Sequence, residues 1–190
     1  MNQILQTLEP KLVWQHFRTL CNTPRPSYHE APLRQLLIDW AHSLDLVTYV
    51  DPVGNLLIKK RATLGMEDRA TVVLQGHLDM VAQKNANIEH DFTKDPILTE
   101  IIDGWVHAKD TTLGADNGIG VAAALAVLES TDIAHGPIEA LFTIEEESSL
   151  RGALELEAGI LDGKILFNLD SEDRGDVEHG SGGASGRAEG

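Results

Sequence analysis

Cysteine is nearly absent: Cys21 is the single one among 190 residues. No disulfide can form within the chain, and a reducing cytoplasm is the expected setting. Cations are also scarce, with 15 Lys and Arg against 30 Asp and Glu and a formal charge of -15. Such acidity speaks against nucleic acid or an anionic membrane as partner, because both would repel it. The longest near-apolar run, Ile119 to Leu128, is far shorter than the ~20 residues that span a bilayer. The opening stretch MNQILQTLEPKLVW lacks a basic segment followed by an apolar core, so a signal peptide is not expected. Aromatic residues make up only 5%. Hydrophobic residues nevertheless reach 42% and charged residues 24%, which suits one well-buried globular domain.

The pattern alternates between two periods. Pro10 can open a first helix carrying Leu12, Val13, Phe17 and Leu20 at helical spacing. Ser27 and Glu30 have the spacing of a capping box for a second helix striped by Leu33, Leu36, Leu37, Trp40 and Leu44. Strands are expected at 46–50 and 55–60 around the turn DPVGN, and again at 71–75. Short strands fit 97–102 and 105–108. The stretch IGVAAALAVLES is apolar nearly all round, as a helix buried between layers would be. A strand at 138–144, a short helix at 150–156 and a strand at 164–169 follow. Strands alternating with helices predict an α/β fold, a layered sheet flanked by helices. Residues 1–170 form the expected domain. Residues 171–190 are Gly-rich, with no aromatic side chain to build a core, and read as a loop or disordered end.

Three apolar strands end in polar side chains of one kind. VVLQG runs into His77 and Asp79, IEALFTI into Glu145, Glu146 and Glu147, and KILFNL into Asp170, while Asp116 sits in a glycine-flanked loop before the buried helix. Sites of open α/β sheets form beyond the carboxyl ends of the strands, so these groups share one expected rim. Each alone has an ordinary explanation: His-x-Asp as loop polarity, the glutamates as a solvated helix start, and Asp116-Asn117-Gly118 as a turn or cap. Together, so many carboxylates would repel one another without a cation between them. Two divalent ions suit four or five carboxylates better than one. Histidine mixed with Asp and Glu favours zinc, manganese or cobalt over calcium or magnesium. A nucleotide site is the weaker alternative, since GADNGIG does not fit G-x-G-x-x-G. The acidic DSED lacks the spacing of a phosphatase nucleophile motif. His16, His29, His42 and His90 have no partners at ligand spacing and read as surface or helix histidines.

GHLDM, GADNG and FTIEEE, with PRPSYHE, DPVGNLLI, HDFTKDPI and TTLGADNGIG, resemble the N-terminal part of the di-zinc metallopeptidases, in the branch of aminoacyl-histidine (carnosinase-like) dipeptidases. The resemblance runs from about residue 10 to about 180. It implies a zinc-peptidase-like catalytic domain in which His77 and Asp170 hold one ion, Asp116 bridges two, and Glu147 holds the second. It makes Glu146 the general base and Asp79 the residue that orients His77, and it implies a cis Asp116–Asn117 bond. Dipeptides of the Xaa-His type are the implied substrates. Ser149 stands where many relatives have glycine. Relatives continue through a lid domain and later catalytic segments, from which comes a further histidine for the second metal. Without them, the expectation is one tightly held ion, an incomplete second site, hydrolysis that is slow or absent, and exposed sheet surface favouring self-association. A fragment that binds metal or a partner without turnover is the alternative reading.

Overall fold

The computed structural model describes residues 2–170 and 179–181. Its centre is a six-stranded mixed sheet built from β1 (Val47–Val50), β2 (Leu56–Lys60), β3 (Val72–His77), β6 (Ile138–Thr143), β7 (Ile165–Asn168) and β8 (His179–Ser181), in the order β1-β2-β6-β3-β7-β8. The three middle strands β6, β3 and β7 run parallel, while β1, β2 and β8 are antiparallel to their neighbours. A separate hairpin pairs β4 (Thr99–Ile102) with β5 (Trp105–Ala108) through Asp103 and Gly104, both at positive φ, as tight two-residue hairpin turns require. The last segment, 171–190, lies outside the described residues except for the three of β8.

All six residues of β6 are buried, which is why its sequence is apolar rather than alternating. Leu56, Ile58, Ala140 and Phe142 face α1 (Lys11–Asn22), α2 (Ala31–Ser43) and α3 (Ala115–Glu129) in the main core. Leu57, Val73 and Leu141 point to the other face and meet Leu156, Ile160, Leu161 and Leu166. The helix α3, packed on α1 and the sheet, accounts for the apolar run of 119–128. Cys21 lies in this core, where burial pushes its thiol up to about 12 against the pull of Arg25. No helix among the described residues is long and apolar enough to cross a membrane.

Two expectations change and a third is narrowed. Ser27 and Glu30 do not form a capping box. Glu30 is the N-cap of α2 but makes no side-chain cap bond, and both side chains turn toward other loops, because buried acceptors and donors there outcompete a solvated helix end. The helix expected at 150–156 is instead two single turns, α4 (Glu146–Ser149) and α5 (Arg151–Leu154), separated by Leu150 at φ 56°. His16 is helical but not superficial: it is buried against Trp40, with Nε2 2.8 Å from Glu129 Oε2.

Candidate metal centre

The carboxyl ends of β3, β6 and β7 lie side by side, so the polar residues following each strand converge. His77 is the last residue of β3 and is fully buried. Its Nδ1 lies 3.2 Å from Asp79 Oδ1, which leaves Nε2 facing outward. Around Nε2 stand Asp116 Oδ1 at 3.2 Å, Asp170 Oδ1 at 3.5 Å and Glu146 Oε2 at 3.9 Å. Two sets of donors, His77–Asp116–Asp170 and His77–Glu146–Glu147, each fall within 4.8 Å of one another.

Asp79 is the buried hub of this arrangement, with 0% exposure. Its Oδ1 accepts the Glu146 N–H at 3.0 Å, and its Oδ2 accepts the Glu147 N–H at 3.1 Å and the Ser27 hydroxyl at 2.6 Å. One carboxylate therefore orients the histidine and sets the first turn of α4. Burial alone would raise the Asp79 carboxyl, but His77, Ser27 and the Glu146 N–H hold it below the usual value.

A second polar hub, Asn117, was read in the sequence only as a turn or cap. It is buried, and its Nδ2 donates to Leu169 O at 2.7 Å and to Asp170 Oδ1 at 2.8 Å. The neighbouring Asp116 is extended (ψ 116°) inside the first turn of α3, and the Asp116–Asn117 peptide is cis, as the resemblance implies. Gly76 makes room: a Cβ there would stand 2.3 Å from Asn117 Oδ1. The signal was present in GHLDM and GADNG, but no periodicity connects a glycine in one strand to an asparagine some forty residues later.

The charges test whether these residues fit a divalent ion. Four carboxylates, of Asp116, Glu146, Glu147 and Asp170, crowd one imidazole. Burial would lower His77, yet Asp79, Asp170 and Asp116 hold it up at about 9. Burial and the adjoining Asp116 push Asp170 up to about 6, against His77 and Asn117. Glu147 is raised by burial and then by Asp116. Asp170 and Glu147, raised by burial and by Asp116 beside an imidazole held protonated, would be stabilised in their ionised form by a divalent cation. The donor set fits.

Fold and donor set together define an α/β protein that gathers a histidine–carboxylate cluster suited to divalent metals at the carboxyl ends of its parallel strands. The chain belongs to peptidase family M20/M25/M40, whose family model matches residues 73–181. It is 50% identical to the cytosol non-specific dipeptidase of Escherichia coli (strain K12), over 94% of this chain and 37% of that protein. The fold superposes with a TM-score of 0.88 on the aminoacylhistidine dipeptidase of Vibrio alginolyticus, at 54% identity, covering 90% of this chain and 35% of that one. It matches the aminopeptidase PepT of Bacillus cereus at a TM-score of 0.71 and 27% identity, covering 86% of this chain and 44% of that one. The chain thus spans little more than a third of the length of the two most similar of these.

Proposed function

We propose that this chain carries the metal-holding and proton-handling residues of a metal-dependent dipeptidase that acts on Xaa-His and related dipeptides in the cytoplasm. The observation that carries the reading is the placement of His77 Nε2 between Asp116 and Asp170 on one side and the two glutamates that follow β6 on the other. The name of the 50% identical relative, a cytosol non-specific dipeptidase, supports the substrate class and the compartment.

His77, Asp116 and Asp170 would hold one ion, and Asp116 with Glu147 a second, with zinc favoured and manganese or cobalt accepted by the same donors. When bound, such ions supply Lewis acidity that polarises the scissile carbonyl and lowers the pKa of a water toward ~7. Glu146 is the proton carrier. Its side chain is partly open to solvent and stands at the rim, 3.9 Å from His77 Nε2. Its carboxylate takes a proton from the water whose oxygen attacks the carbonyl carbon. It returns that proton to the amide nitrogen as the C–N bond breaks, leaving a free amine and a carboxylate. Asp79, with Oδ1 3.2 Å from Nδ1, would favour the tautomer that leaves the Nε2 lone pair free for an ion.

A competition titration with zinc and cobalt, followed by assay of an Xaa-His dipeptide with and without chelator, tests the reading. One ion bound tightly and a second more weakly is expected, with slow hydrolysis that chelation abolishes. Glu146→Gln should lower that hydrolysis by ~10²–10⁴-fold and leave metal affinity unchanged. Metal binding without turnover is the second reading; bound metal with no hydrolysis above the chelated control would support it. A chain that holds neither ion would end both.

A further inference from the structure

The six residues Arg25-Pro26-Ser27-Tyr28-His29-Glu30 precede α2, far in sequence from every residue of the metal centre, yet three of them reach three different loops of that centre. Arg25 is 2% exposed, and burial lowers its otherwise very high pKa. Its Nη1 donates to Leu78 O at 3.0 Å and to Asp79 O at 2.9 Å, and its Nη2 donates to Gly114 O. One planar guanidinium thereby joins the loop that follows His77 to the loop that presents Asp116. The glycines of GADNG make this contact possible. A Cβ at Gly114, whose φ is +68°, or at Gly118 would stand 2.6 Å from Arg25 Nη2.

Ser27 donates its hydroxyl to Asp79 Oδ2, on the carboxylate whose other oxygen faces His77 Nδ1. Pro26 and Met80 form a parallel bridge that lays the segment along the loop after β3. Glu30 Oε1 accepts the N–H of Glu145 at 3.0 Å, the residue at φ 54° that turns the chain from β6 into α4. The residues adjoining His77, Asp116 and the two glutamates are thus each tied to one short segment. Asp170 alone is held otherwise, by Asn117.

We propose that residues 25–30 are a positioning strap that sets the mutual geometry of the metal-holding side chains, with Ser27 acting on His77 through Asp79. No residue of the strap belongs to either set of candidate metal donors. The strap rests on the metal reading given above, and it adds that affinity depends on a segment that supplies no ligand.

Ser27→Ala tests it, because the variant removes one hydroxyl and leaves Asp79 its two backbone donors, so the fold survives. Cobalt(II) is the probe, titrated into the 190-residue chain, its visible absorption bands reporting ligand geometry. Ser27→Ala should bind cobalt ~10-fold more weakly, the range for groups that orient a ligand. Its bands should shift, while the metal-free chain still unfolds cooperatively, at a somewhat lower melting temperature. Ser27→Thr, which restores the hydroxyl, should regain the parental affinity and spectrum. Parental affinity and an unshifted spectrum in Ser27→Ala would overturn the strap while leaving the metal reading intact. A parent chain that takes up no cobalt would overturn the metal reading, and the strap with it.

Discussion

Asp79 and Glu139 are both buried carboxylates of one sheet, 0% and 1% exposed, and they stand at its opposite ends. Glu139 lies near the amino end of β6, paired in register with Val73. Lys59 Nζ reaches it at 2.7 Å, the same ammonium reaches Asp162 at 2.7 Å, and the Asp162 and Gly163 N–H groups complete its shell. Asp79, beyond the carboxyl end of β3, is as fully hydrogen-bonded, but around it one imidazole and the Arg25 guanidinium face a larger number of carboxylates. Burial alone therefore does not mark a site. A carboxylate closed by its own lysine is a complete structural unit, whereas a cluster with surplus negative charge calls for a cation from outside the chain.

The sharpest way to break this contrast is Asp170→Ala, which removes a donor from the surplus cluster. Zinc affinity should fall by more than ~100-fold, beyond the effect of losing an orienting group. The metal-free chain should unfold at the same denaturant concentration or a higher one, since a repelling carboxyl has gone. Unchanged zinc affinity would sink the assignment of Asp170. Glu139→Ala should do the reverse. It leaves two backbone donors without their acceptor while Lys59 keeps Asp162, so denaturant unfolding should show a loss of about 1–3 kcal/mol with zinc affinity at the parental value. A collapse of affinity there would mean that the two ends are coupled and the contrast false.

Asp79→Asn falls between. An amide presents its own N–H groups to some of the donors around Asp79, so both readouts should move: zinc affinity down ~10-fold, stability down by about 1–3 kcal/mol. The smallest effect is expected at a third pair, His16 and Glu129, outside both carboxylate clusters. Burial lowers the His16 imidazole in spite of Glu129 beside it. A histidine of the unfolded chain takes up its proton near ~6.5, and the folded one only at lower pH. The unfolded state binds more protons in that window, so His16 makes stability fall as pH drops through it. His16→Gln should flatten the pH dependence of unfolding. A steeper slope in the variant would show the shift to be in the other direction.

Much of the fold was legible because it rests on periodicity. The apolar runs at 72–75 and 138–143 could only be buried strands, and 119–128 only a helix enclosed by other layers. The residues at the strand ends were legible because the chain repeats one motif, apolar strand then acid, three times. What escaped were side chains whose partners are distant in sequence. Ser27 and Glu30 matched a local capping pattern, and Asn117 a local turn pattern. Arg25 was passed over, since a lone arginine in a polar stretch gives no sign that three carbonyls await it. Glu139, second residue of an otherwise largely apolar strand, gave no hint of Lys59 across the β2–β6 pair.

The sequence by itself determined the α/β class, the burial of α3 and β6, and the supply of carboxylates and one imidazole at strand ends, because each follows from residue type and short-range spacing. Only the tertiary structure decided which buried acids are neutralised from within and which are not. It also decided that a segment near residue 27 would hold loops near 79, 114 and 145 in one arrangement. The reason is physical. Electrostatic balance and hydrogen-bond satisfaction depend on distances of about 3 Å between groups that the chain brings together only on folding, and neither composition nor periodicity contains those distances.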